Sequence, residues 1–153
     1  MRAMGIRLLI GLAAMGTMAW GADLFVGTWK LRAPEAPLVS STLQITSGLV
    51  HRLTYKMTYS AASGINPVTE MFVTALDGKD STATLANGAP APVKMAITRV
   101  DDRHWTAAVK TGGQVSSTSK VEVSADGKVL KIESSAKLPN GKTLPGTQYW
   151  DRQ

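Results

Sequence analysis

The fold of this chain is decided by the stretch LVHRLTYKMTYSA, residues 49–61. Its odd-numbered positions are leucine, histidine, tyrosine, methionine and alanine, whereas its even-numbered positions after Val50 are all polar. Successive side chains of a β-strand point to opposite faces, so this pattern gives one apolar face and one solvated face. The stretch therefore predicts a strand with one face on a core, and we find no helical periodicity downstream of the N-terminal segment.

Turn sequences separate further short apolar stretches along the chain. Glycine tolerates the positive φ of tight hairpins, as do Asn and Asp more weakly. The predicted turns are 77–79, 101–103, 111–113, 126–128 and 140–142. The predicted strands are Phe25–Leu31, Thr42–Ile45, Leu49–Ser60, Thr69–Leu76, Ser81–Leu85, Val93–Val100, His104–Lys110, Gln114–Val123, Leu130–Ala136 and Gly146–Arg152, with Pro34, Pro37, Pro67, Pro90 and Pro92 between them.

Many short antiparallel strands leave edges that a protein must protect, and closure into a barrel removes those edges completely. We therefore predict an all-β protein: a single antiparallel up-and-down β-barrel of eight to ten strands. A two-sheet sandwich is the alternative architecture. One domain is the default for a chain of 153 residues.

The N-terminal segment has the pattern of a cleavable signal peptide. Arg2 and Arg7 precede an apolar run over 8–18, and Ala19 and Gly21 supply small residues before a cleavage site. The apolar run is shorter than the roughly 20 residues that a membrane span needs. We therefore predict a signal peptide over 1–21, a barrel domain over 22–153, and export to the periplasm or the medium.

Composition excludes several classes of function. The chain has no cysteine, which removes disulfides, zinc–thiolate sites and thiol catalysis. Its formal charge is +6, but the lysines are scattered, unlike the clustered basic surface of a nucleic-acid-binding protein. Two isolated histidines make a poor metal site, and no nucleophile motif or phosphate-binding loop is present. We predict no enzyme activity, no cofactor, no metal and no nucleic-acid partner.

Both ends of the barrel domain resemble the calycins, which include lipocalins and fatty-acid-binding proteins. The stretch FVGTWKL, residues 25–31, contains the G-x-W element of their first strand, and YWDR, residues 149–152, lies in the last predicted strand. The resemblance implies that Trp29 and Arg152 meet to close the barrel, where a guanidinium can stack on an indole ring. The resemblance also implies binding of a small molecule in the interior.

The whole domain also resembles a group of small exported bacterial proteins of lipocalin-like character. The matching segments are 76–80, 99–105, 124–128 and 149–153, in addition to the GTW opening strand. Two features depart from fatty-acid-binding proteins. The segment 31–41 is too short and proline-rich for their helical lid, and Thr147-Gln148-Tyr149 replaces their Arg-x-Tyr pair.

These observations favour an exported lipocalin-like protein that binds a small apolar or amphipathic ligand. The candidate ligand contacts are His51, Tyr55, Met57, Tyr59, Met95 and Arg99. The alternative is a ligand-free structural or interaction module of the cell envelope. A barrel enzyme using His51 or His104 is a third hypothesis, and the oligomeric state is left open.

Overall fold

The chain between residues 22 and 153, the part described by the computed structural model, folds into one closed antiparallel barrel. The predicted signal peptide lies outside the described residues. Ten strands form the barrel within this range: β1 Gly27–Leu31, β2 Leu38–Ser47, β3 His51–Tyr59, β4 Val68–Thr74, β5 Asp77–Leu85, β6 Pro90–Arg99, β7 His104–Thr111, β8 Gln114–Val123, β9 Val129–Lys137 and β10 Thr143–Arg152.

The topology is up-and-down throughout. Each strand pairs with its neighbours in sequence, and β1 pairs with β10 to close the barrel. The closing register places Trp29 opposite Arg152 and Leu31 opposite Trp150. The predicted all-β barrel is confirmed, and the sandwich alternative is excluded for residues 22–153.

Two prolines expected between strands lie inside β6. Pro90 begins the strand and pairs with Thr84, at a point where the β5–β6 register shifts. A residue without an N–H is tolerated at a strand start or a bulge, so neither Pro90 nor Pro92 breaks the ladder. The turn expected at 77–79 likewise lies within β5, in a second irregularity of the same pairing where Gly78 has a φ of 79°.

One end of the barrel, which we call the base, is fully packed. Phe25 and Trp29 have no exposed surface there, and Trp105 and Trp150 are buried above them. Phe25 precedes β1, and its ring stacks on Trp105 with 3.8 Å between ring centroids. The segment just before β1 therefore forms part of the core.

Arg152, in the last strand, stabilises this base. Its guanidinium lies 4.2 Å from the centre of the Trp29 ring. It also donates hydrogen bonds to the main-chain carbonyls of Leu24, Val26 and Gly127. The structure thus brings Trp29 and Arg152 together, and joins both ends of the barrel domain at one point.

The opposite end is open, because β1 is only five residues long. Beyond Leu31 the chain turns away over 32–37 and returns as β2, which leaves 143–148 of β10 without a strand on that side. The only helical element within residues 22–153 is a single turn at Ala61–Ser63. No helical lid therefore covers the open end in this part of the chain.

Candidate binding cavity

A small apolar cavity lies inside the barrel above the packed base. Its volume is about 60 Å³, and Trp105 forms part of its lining. The other lining side chains are apolar or small and come from β2, β3 and β6 to β9; they include Leu43, Leu53, Tyr55, Met95, Ala107 and Ile132. Tyr55 and Met95, two of the predicted ligand contacts, therefore share one cavity.

The size of this cavity limits what it can hold. A water molecule takes roughly 30 Å³ of liquid volume, whereas sites for drug-sized ligands span roughly 300–1,000 Å³. The deep cavity alone accommodates a water or two, or the end of an alkyl chain. A larger molecule must extend from it toward the open end.

A groove of about 500 Å³ lies at that open end. It is lined by Leu31, Leu38, Leu144 and Gln148, together with residues of the 32–37 segment. On β9 the lining continues directly from cavity to groove: Ile132 faces the cavity, and Ser134, the next residue on the same face, faces the groove. The groove therefore sits one strand step above the cavity, and it has the volume of an ordinary ligand site.

The interior walls of the open half differ in polarity. The inward faces of β3 and β6 carry Tyr55, Met57, Tyr59, Val93 and Met95, all partly accessible to solvent. The wall formed by β8 to β10 carries neutral polar groups, which are Ser117, Ser119, Ser134 and Gln148. An interior that presents both apolar and hydrogen-bonding side chains suits an amphipathic molecule.

Tyr55 marks the boundary between the packed base and the open half. Its ring meets Phe72 and Trp150 edge to face, with centroids 6.2 Å and 6.3 Å apart. Burial raises the pKa of Tyr55 to about 12, and the nearby charge of Glu70 adds to this effect. The phenol is therefore neutral at physiological pH and offers one hydroxyl to the cavity.

Met57 and Tyr59 continue the same face of β3 toward the rim. The Tyr59 hydroxyl donates to the Met57 sulfur at 3.6 Å. Neither residue lines the deep cavity, but both face the space above it. An unbranched thioether adapts easily to ligands of different shape.

His51 and Arg99 lie elsewhere, at the base. Both bind the carboxylate of Asp23, which is 2.7 Å from the His51 ring and 2.5 Å from the Arg99 guanidinium. Burial raises the pKa of Asp23, but hydrogen bonds from His51, the Phe25 N–H and Arg99 outweigh it and lower the pKa overall. The cluster ties the segment before β1 to β3 and β6.

The inward orientation predicted for His51 and Arg99 is observed, but their height in the barrel differs from the prediction. Alternation along a strand gives the face of a residue and not its distance from the base. Asp23 precedes the first strand, so no strand pattern pointed to it. Neither His51 nor Arg99 lines the cavity or the groove.

The second histidine takes part in a turn at the same end. His104 Nδ1 lies 2.7 Å from Asp101 in the β6–β7 connection, and both side chains are exposed. No group of three or more histidine, aspartate or glutamate residues within 22–153 is arranged to hold a metal ion. No helix in this range is long and apolar enough to cross a membrane.

Two buried donors in the interior went unnoticed in the sequence. Within the described chain, the indole N–H groups of Trp105 and Trp150 have no hydrogen-bond partner. Trp105 borders the cavity and is almost fully buried. Both nitrogens are enclosed by packed side chains, although buried donors are nearly always satisfied.

A likeness to known proteins is seen only among solved structures. No family model matches it, and no curated protein matches its sequence. A solved structure with a similar fold is the zebrafish ileal bile acid-binding protein in complex with cholic acid. The similarity covers 85% of this chain and 99% of that chain, at 16% sequence identity and a TM-score of 0.49. A likeness at this level carries no conclusion about ligand or activity, and the finer resemblance to exported bacterial proteins stays a prediction.

Proposed function

We propose that this protein is an exported carrier that binds a small apolar or amphipathic molecule in the open half of its barrel. One observation carries the proposal: the interior is packed at the base, and at the other end a groove of about 500 Å³, lined by both apolar and polar side chains, lies above a small apolar cavity. A sealed base and an open mouth are what reversible uptake of a small molecule requires.

The accessibility of the inner apolar side chains supports this function over a purely structural role. Met95, Val109, Val121 and Ile132 face the interior and are only partly buried. Full burial of such a side chain contributes about 1.5–3 kcal/mol of stabilising free energy. A ligand-free barrel gains only part of this free energy, because these side chains stay partly exposed. A bound apolar molecule would cover this surface.

The two volumes suggest how the ligand is held. The groove can accept the bulk of the molecule, and the cavity beneath it can accept one narrow end. Tyr55 and Met95 would contact that end, whereas Met57 and Tyr59 would contact the part nearer the rim.

An interaction module of the cell envelope is the second candidate, and the free edge of β10 favours it. The main-chain groups of odd-numbered residues in β10 face β1, since the Tyr149 carbonyl accepts from the Arg32 N–H at 2.9 Å. Pro145 shares this parity, so its missing N–H falls at the unpaired edge. Thr147 also faces this edge, and an extended segment of another protein could pair there.

A fluorescence experiment separates the two candidates. N-phenyl-1-naphthylamine, a neutral apolar dye, should gain fluorescence with the purified protein and saturate at one site. Ala107→Phe places a ring in the cavity and should abolish this signal. The neighbouring Ala108 points outward, because side chains alternate along the strand and only Ala107 lines the cavity, so Ala108→Phe should preserve the signal. Equal binding by both variants, or no saturable signal, would refute interior binding.

Export has its own test. The intact mass of the protein recovered from its native host should correspond to a chain that begins at Ala22. A mass that includes residues 1–21 would count against the signal peptide.

A further inference from the structure

The charge of the barrel interior differs sharply between its two halves. At the base, His51 and Arg99 bind Asp23, and Arg152 binds main-chain carbonyls over Trp29. In the open half, the inward positions of the described strands carry uncharged side chains with one exception. That exception is Glu70 of β4.

The register of β4 fixes the direction of Glu70. The residue alternates with Phe72 and Thr74, which are both buried inside the barrel. It lies directly opposite Tyr55 on β3 and opposite Leu85 on β5, and both of these face the core. The carboxylate therefore sits one layer above Phe72, on the inner wall of the open half.

Glu70 has no counter-charge among the residues of 22–153. No lysine, arginine or histidine nitrogen in this range lies within 4 Å of it, although the other carboxylates on strands, such as Glu122 and Glu133, have such partners. Burial raises the pKa of Glu70, and no hydrogen bond opposes this effect. A half-buried carboxylate without a partner is unfavourable, and a cation placed beside it would relieve the cost.

From this juxtaposition we infer that the ligand is a cationic amphiphile, an amine with an apolar chain, whose ammonium group binds Glu70. The inference rests on the function proposed above and names the chemical class of its ligand. The chain would pass Tyr55 and Met95 and reach down into the cavity. The ammonium group would stay just above the cavity, beside Glu70 and the ring of Tyr55, where a cation also gains from the aromatic face.

The inner wall gives no comparable site for an anion. Arg99 is already bound to Asp23, and Arg152 is engaged at the base. Arg32, at the edge of the groove, is bound to Asp151 on the outer surface. The formal charge of the chain is +6, so a non-specific electrostatic effect would favour an anion. A preference for a cation would therefore have to come from a local carboxylate.

Three ligands that share one alkyl chain test this inference. Octylamine, octanol and octanoate differ only in the charge of the head group, and calorimetric titration of the purified protein gives the affinity of each. Octylamine should bind about tenfold more tightly than octanol, the magnitude expected for one charge-assisted hydrogen bond in a half-buried site. Octanoate should bind more weakly than octanol.

Two substitutions show whether a preference for octylamine over octanol depends on Glu70. Glu70→Gln keeps the shape of the side chain and should bring octylamine to the affinity of octanol, whereas Glu133→Gln on the outer face should change nothing. If Glu70→Gln fails to fold, Glu70→Asp keeps the charge and should keep the preference. Equal affinities in the unmodified protein, or a preference that survives Glu70→Gln, would overturn the inference while leaving interior binding intact. Failure of all three ligands and of the neutral dye would instead overturn the proposed function.

Discussion

Replacing Arg152 with alanine tests how the base of the barrel is held together. The guanidinium donates hydrogen bonds to three main-chain carbonyls, and it lies over the ring of Trp29. Two of these carbonyls belong to Leu24 and Val26, in the segment that carries Phe25 into the core. Loss of this side chain therefore removes the hydrogen bonds that hold residues 24–26 at the base, in addition to removing a positive charge.

The expected cost follows from these contacts. A hydrogen bond to a charged group contributes about 1.5–3 kcal/mol, and a partly desolvated cation–π contact about 1–2 kcal/mol. These contributions overlap and one face of the site reaches solvent, so we expect a total loss of about 3–5 kcal/mol. This is a large fraction of the roughly 5–15 kcal/mol that stabilises a typical domain.

Urea denaturation followed by tryptophan fluorescence measures this loss as a change in the free energy of unfolding. Arg32→Ala is the matched control, because Arg32 binds Asp151 at 2.6 Å and also lies over a ring, that of Tyr149, but on the exposed surface. Exposed ion pairs contribute about 0–1 kcal/mol. A loss below about 1 kcal/mol for Arg152→Ala, equal to the control, would show that this account of the base is wrong.

Three further substitutions examine the same end of the barrel. Phe25→Ala removes a fully buried ring that stacks on Trp105, and it should cost about 3–5 kcal/mol in the same urea assay; a small loss would mean that the segment before β1 is not part of the core. Gly27→Ala would drive a methyl group into Arg152, so its cost of about 1–3 kcal/mol should shrink in the Arg152→Ala background. The pKa of Asp23 is lower in the folded protein than in the unfolded chain, so its carboxylate stabilises the fold at pH values above the unfolded pKa of about 3.9. This stabilisation is lost as the pH falls through the lower pKa of the folded protein. Asp23→Asn should therefore be less stable at neutral pH and lose less stability on acidification, and parallel pH profiles would contradict this.

The fold was largely predictable from local patterns. The alternation in 49–61 and the turns at 126–128 and 140–142 depend only on neighbouring residues, and the corresponding hairpins are present. The predicted start of β6 at Val93 was wrong, because Pro90 was assigned to a loop. A proline is compatible with a strand wherever the ladder is irregular, and β6 begins at Pro90. The early start of β2 at Leu38 was missed for a related reason, since Pro37 directly precedes it.

The site was predictable only in part. Alternation correctly turned Tyr55 and Met95 toward the interior, where both line the cavity. The base cluster of His51, Arg99 and Asp23 depends on strand register across the barrel, which a single sequence does not specify. The inward direction of Glu70 could have been predicted from strand alternation, because it lies two residues from the apolar Phe72 and therefore on the same face of β4.

Native mass spectrometry of the protein purified from its own source, before and after extraction with organic solvent, tests the central claim most directly. We expect an additional small mass that is lost on extraction and that ionises as a base. A bare polypeptide mass before extraction, unchanged after incubation with octylamine and with the neutral dye, would contradict a ligand-binding barrel.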